Sequence, residues 1–95
     1  MNGSGNTEIV LSICVVVYNH RQYIEECLDS ILNQQMNFPY EIIVGNDCST
    51  DGTEEVLAKY GDRVRVINRP NNLGLCANLY DLFLQAKGRY VTNIS

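Results

Sequence analysis

Polar and apolar positions along this chain fall into alternating blocks of two periods. Residues 10–17, VLSICVVV, form an apolar, β-branched run interrupted only by Ser12 and followed by Tyr18, Asn19 and His20. A continuous run of that length predicts a strand covered on both faces, as in a parallel sheet. HRQYIEECLDSILNQQ then sets Ile24, Cys27, Leu28, Ile31 and Leu32 at helical spacing and leaves Arg21, Glu25, Glu26 and Asp29 for the opposite side. That is an amphipathic helix, and Asn19 with Gln22 three residues on fits its N-cap and capping partner. NFP breaks the helix, and YEIIVGN predicts a second short strand.

Residues 51–60 return to helical spacing through Val56, Leu57 and Tyr60, and Gly61 stops them. In DRVRVINR, Arg63 and Arg65 alternate with Val64 and Val66, which predicts a strand with one wet face or a free edge. PNNLG is a turn. Residues 75–87 place Leu75, Leu79, Leu82, Phe83 and Ala86 on one helical face, and Gly88 ends this helix before a last strand, RYVTNIS. The order is β-α-β-α-β-α-β. Strands alternating with helices require crossovers, and right-handed crossovers give a parallel sheet with helices on its faces.

Composition narrows the function classes. Ninety-five residues make one domain, which buries a little over about 60% of its unfolded surface. The 45% apolar and 19% charged residues are those of an ordinary folded chain. A net charge of −4 argues against nucleic acid and anionic lipid as partners, since both need clustered Lys and Arg. The longest apolar run is far shorter than the ~20 residues of a membrane span. The opening MNGSGNTE has neither the basic nor the apolar part of a signal peptide, so a cytoplasmic protein is expected. Residues 1–9 are read as disordered or left over from cloning, and 10–95 as the domain. The four cysteines never form C-x-x-C, which removes the usual zinc and redox signatures. Cys14, Cys27 and Cys76 are read as small core residues; Cys48 lies in a polar loop.

In an open α/β sheet, ligands bind beyond the carboxyl ends of the strands. Here the first strand leads into Tyr18, Asn19 and His20, and the second into Asn46, Asp47, Cys48, Ser49, Thr50 and Asp51. If these strands are neighbours, Tyr18 and Asp47 share one rim. An aromatic ring offers a stacking face and a carboxylate accepts a hydrogen bond from an amide or imide N–H, so a pyrimidine base would fit both. The alternative is a packing tyrosine and a turn acid. Residues 49–55 are largely explained by capping: Asp51 stands three before Glu54, and Glu54 and Glu55 complement a helix dipole. Asp47 comes too early to cap that helix. G-x-G-x-x-G and G-x-x-x-x-G-K-[ST] are both missing. His20, the single histidine, reads as a polar helix-start residue, and Ser49 has no evident base for a Ser-His-Asp arrangement.

Taken together, SICVVVYNHRQYIEECLDSILNQ, YEIIVGNDCSTDGTEEVL, NNLG and AKGRYV resemble, in order and spacing, the nucleotide-binding half of the family 2 glycosyltransferases of GT-A fold. The resemblance runs from about Leu11 to the end, and NFPYEI with NDCSTDGT looks like a bacterial branch. It implies an α/β, Rossmann-like open parallel sheet of about four strands in the order 3-2-1-4. It also implies a nucleotide-diphosphate sugar, commonly a UDP-sugar, as donor to an acceptor hydroxyl on a saccharide or lipid-linked glycan. A divalent metal, Mg or Mn, would bridge the diphosphate in the full-length enzyme, at the inner face of the membrane. By the same resemblance Tyr18 stacks on the base, Asp47 binds the base N–H, the backbone near Val16 and Val17 lines the pocket, and Asn19, Ser49 and Gly74 match motif positions.

The departures are specific. Many relatives have two acids and a glycine where this chain has Asn46, Asp47 and Cys48, and a proline where Val16 stands. Some have an arginine near 74–78 that is missing here. In similar proteins the fourth strand runs into an Asp-x-Asp or Asp-Asp metal motif, whereas RYVTNIS carries no acid. A fragment without a metal site, inactive on its own, is therefore expected. A non-catalytic module that self-associates through a strand edge is the competing reading. A phospho-acceptor domain of flavodoxin-like topology would need acids after the first strand, where Tyr18, Asn19 and His20 stand.

Overall fold

The computed structural model describes residues 8–94, so the expectation for residues 1–9 lies almost wholly outside the described residues. Four strands, β1 (Leu11–Val17), β2 (Tyr40–Asn46), β3 (Arg65–Asn68) and β4 (Tyr90–Ile94), alternate with three helices, α1 (Arg21–Leu32), α2 (Thr53–Ala58) and α3 (Leu75–Gln85). Every pairing is parallel and the strand order is β3-β2-β1-β4. The chain winds outward from β1 to β3 and then crosses to the other side of β1. Strand order thus reverses at β1, the kind of point where open α/β sheets take ligands.

Alternation along β1 and β2 divides the core between the two faces. Ile13, Val15 and Val17 join Ile42 and Val44 under α1 and α2, where Ile24, Leu28, Ile31, Val56 and Leu57 close over them. On the opposite face Cys14 and Ile43 meet Leu82 of α3. The unbroken apolar run of β1 reflects this burial on both sides.

At the amino end of the sheet a polar junction ties the crossover from α3 into β4. Glu41 accepts from Ser12 Oγ at 2.6 Å, from the Lys87 amide at 2.7 Å and from Arg65 Nη1 at 3.2 Å. Ser12 Oγ accepts in turn from the Gly88 amide at 2.8 Å. A Cβ on Gly88 would stand 2.7 Å from the Ser12 nitrogen, so this glycine answers to close approach of backbone as well as to the end of a helix.

Several boundaries differ from the sequence reading. Helix α2 is shorter than 51–60, because the chain tightens at its end into a 3-10 turn over Gly61–Arg63. Helix α3 ends at Gln85 rather than 87, since Lys87 and Gly88 are drawn onto Glu41 and Ser12. Cys14 is buried as expected, but Cys27 is only partly covered and Cys76 is exposed. Cys76 misses the core because α3 faces the sheet through Asn78, Leu79, Leu82 and Ala86. Leu75 and Phe83, expected on the covered face, are exposed for the same reason. Arg65 does not simply face water: its guanidinium bridges Glu41 and Gln85. Among the described residues no helix is long and apolar enough to cross a membrane.

Helices α1 and α2 are joined by Tyr60, whose hydroxyl donates to Asp29 Oδ1 at 2.7 Å and to the Glu25 carbonyl at 3.3 Å. Burial, reinforced by Asp29, pushes this phenol above its ordinary value of 10.0. The folded chain therefore holds the phenol proton more tightly than the unfolded one. The stability this contributes is complete below pH 10 and is lost as pH rises toward the folded value. An alkaline unfolding series is expected to show a shallower loss for Tyr60→Phe than for the parent, with a cost on the order of 1 kcal/mol at neutral pH.

Candidate functional site

Parallel pairing carries β1 and β2 in step to Val17 opposite Asn46. Tyr18 and Asp47 are the next residues on each strand, and the Asp47 amide donates to the Val17 carbonyl at 2.9 Å. The sheet thus brings them to one rim, as the order of the strands requires. Tyr18 is 53% exposed while Asp47 is 3% exposed, which leaves an open ring beside a sheltered carboxylate.

The Asp47 carboxylate already has partners. Its Oδ1 accepts from the Leu73 amide at 2.7 Å and its Oδ2 from the Gly74 amide at 2.9 Å. Asp47 comes too early to cap α2, but it holds the two residues that lead into α3, with Gly74 27 residues away along the chain. Gly74, with φ of 88°, turns the chain into α3 in a conformation that a side chain resists. The structure therefore places Gly74 beside Asp47 through its backbone.

Asn19 differs from the sequence reading. The residue flanking α1 is His20, whose own side chain makes no capping hydrogen bond. Asn19 instead takes φ of 49°, and its Oδ1 accepts from the Thr50 amide at 2.7 Å. The Asn19 amide donates to Ser49 Oγ at 2.9 Å. Asp51 accepts from the Arg21 amide at 3.1 Å and from both the amide and the hydroxyl of Thr53, so the capping partner is Thr53 rather than Glu54. These bonds, the one from the Thr53 hydroxyl foremost, hold the Asp51 carboxyl below its ordinary value. Val16 and Val17 stay within the ladder opposite Gly45 and Asn46 and form the floor behind the rim.

Two residues that the sequence reading passed over support this rim from below. Arg69, with 9% of its side chain exposed, donates from Nη1 to Asp81 at 2.6 Å and from Nε and Nη2 to Asn78 Oδ1 at 3.1 and 2.9 Å. Asn78 is fully buried and donates from Nδ2 to the Gly45 carbonyl at 3.0 Å. The hydrogen bond from Arg69 holds the Asp81 carboxyl below its ordinary value. One sequence signal was available: an asparagine on the otherwise apolar face of a helix implies a buried partner.

Asn46, one residue before Asp47, is 2% exposed, and its Oδ1 has no hydrogen-bond partner. A depression of about 290 Å³ lies elsewhere, between α2 and β3, lined by Leu57, Val64, Val66 and Asn68 with Glu54 at its side. Among the described residues no three His, Cys, Asp or Glu side chains are grouped to hold a metal ion, so none is assigned to one.

Residues 12–95 match the family model described as Glycosyl transferase family 2. The poly(ribitol-phosphate) beta-glucosyltransferase of Bacillus spizizenii is 42% identical over 86 residues, covering 85% of this chain and 14% of its own length. Staphylococcus aureus TarS 1-349 in complex with UDP-GlcNAc superimposes with a TM-score of 0.80 at 32% identity, over 90% of this chain and 26% of that one. The mannosyltransferase PcManGT from Pyrobaculum calidifontis, in complex with GDP-Man and Mn2+, gives 0.75 at 27% identity, over 87% and 26%. The chain spans 25% of the length of the mycobacterial curated relatives that are 38% identical to it.

Because Arg69 holds the loop that presents Leu73 and Gly74 to Asp47, Arg69→Met is expected to destabilise the chain by about 1–3 kcal/mol, chiefly because the buried Asn78 Oδ1 loses its donors, while Asp81 keeps Gln85. Denaturant unfolding measures it. Amide exchange should quicken first at Leu73 and Gly74 rather than in β1.

Proposed function

Since this chain belongs to glycosyl transferase family 2, we propose that its carboxyl rim binds the nucleotide of a sugar donor, a UDP-sugar, in a longer enzyme that transfers the sugar to an acceptor hydroxyl. One observation carries the reading: an exposed aromatic ring and a buried carboxylate end adjacent central strands, one step beyond Val17 and Asn46. Relatives whose complexes contain UDP-GlcNAc and GDP-Man support a nucleotide sugar as ligand.

In this reading Tyr18 supplies the stacking face for the base. An ionised carboxylate has about four acceptor positions; two of those on Asp47 are taken by Leu73 and Gly74, and the others accept the base N–H. The loop amides hold the carboxylate in place, so the base meets an acceptor that is already oriented. Asn19, Ser49 and Gly74 shape the same rim, with the backbone of Val16 and Val17 behind it. The acceptor is a saccharide or a lipid-linked glycan. A divalent metal, Mg or Mn, would neutralise the donor diphosphate in the full-length enzyme, with support from the Mn2+ in the related mannosyltransferase complex. We assign it no ligand among these residues. A cytoplasmic location, at the inner face of the membrane for the full-length enzyme, goes with the reading.

The test is an NMR titration of the chain with UDP. Weak binding, with Kd on the order of millimolar, is expected, and Tyr18→Ala should weaken it at least about fivefold. Tyr18 is 53% exposed, so thermal stability should be unchanged. Equal affinity in parent and variant would overturn the stacking role, and tight Mg-dependent binding would contradict the reading of these residues as lacking the metal site.

A second reading is favoured by β4. All five of its residues are exposed, none is charged, and its outer edge is unpaired among the described residues. Such an edge invites another strand, and we propose self-association through it. Light scattering should show a concentration-dependent dimer that Val91→Lys abolishes; a parent chain that stays monomeric at the highest concentration would overturn this.

A further inference from the structure

Two non-glycine residues among those described have positive φ, Asn19 at 49° and Cys48 at 64°. Each directly follows one of the two proposed base contacts, Tyr18 and Asp47. Left-handed backbone at a residue with a side chain costs about 1–2 kcal/mol, less for Asn than for most, and persists where surrounding structure enforces it. At Asn19 the enforcing bonds are visible, and they are reciprocal. The Asn19 side chain accepts from the backbone of the β2–α2 loop at Thr50, while the Asn19 backbone donates to the Ser49 side chain on that loop. One step further on, Asp51 of the β2–α2 loop accepts from the Arg21 backbone.

We infer that Asn19 is a positioning residue: with Ser49 it clasps the β1–α1 loop to the β2–α2 loop and so fixes where the Tyr18 ring stands relative to Asp47. Tyr18 lies between two fixed points, the ladder residue Val17 before it and the clasped Asn19 after it. Its ring is more than half exposed, so packing alone does not hold it. The bonds on either side fix its backbone and so the point from which the ring projects. Asn suits the position twice over, because it tolerates left-handed backbone and carries a side-chain acceptor. Glycine would meet only the first need, and alanine neither. The role rests on the nucleotide reading above but differs from it in kind, since Asn19 acts through Tyr18 and needs no contact with the ligand.

Two arms separate the inference from that reading. Without ligand, Asn19→Gly keeps the turn and removes the acceptor. Amide exchange at Thr50 should quicken about tenfold and the Tyr18 ring resonances should shift, while β1 amides and the melting temperature stay as in the parent. Asn19→Asp, which restores an acceptor, should restore Thr50 protection. With UDP, Asn19→Gly should bind about fivefold more weakly, and adding Ser49→Ala should cost little more because the two residues form one unit. Unchanged Thr50 exchange, or UDP affinity equal to the parent's, overturns the clasp. A parent chain that binds no UDP overturns the base-binding reading instead, and Thr50 exchange still decides whether the clasp exists.

Discussion

Asp47 ties together parts of the chain that are far apart in sequence. Its amide closes the end of the β1–β2 ladder on Val17, and its two oxygens fix the amides of Leu73 and Gly74 where α3 begins. A carboxylate that is 3% exposed would be expensive with no partner; here two backbone donors offset that expense, and the β3–α3 loop is pinned in the process. The Arg69 and Asn78 network lies beneath this junction and holds the same loop from the side of the sheet. Remove the carboxylate and the Leu73–Gly74 end of the loop loses its tie to β2.

On the proposed reading of the rim, one acid is both structural and functional. The amides that stabilise Asp47 also keep it aimed, and an acceptor fixed before ligand arrives loses little entropy when the ligand comes. The choice between a turn acid and a base-binding acid is therefore not exclusive at this residue. Its neighbour Asn46 holds an amide oxygen with no partner.

Much of the fold was legible from periodicity. The β-branched run of β1, buried on both faces, and the guarded alternation of β3 identified a central and an edge strand, and the crossovers did the rest. What periodicity missed were contacts between residues far apart in sequence. Asn19 read as a local cap because capping rules look a few residues ahead, whereas its partner lies 31 residues away. Asn78 was invisible to a hydrophobic count, and Leu75, Phe83 and Cys76 were wrongly placed on the covered face of α3 because its apolar residues extend beyond the strip that meets the sheet. The rim itself was legible as a pair, Tyr18 with Asp47, since strand adjacency alone brings them together.

The two edges of this sheet are unlike. β3 is four residues long, carries Arg65 and runs into Arg69 and Pro70, while β4 presents five uncharged residues. Growth of the sheet is thereby given a direction. Short, charged edges discourage an added strand and uncharged ones do not, so this composition leaves β4 as the flank on which the architecture could be elaborated without disturbing the rim that β1 and β2 form.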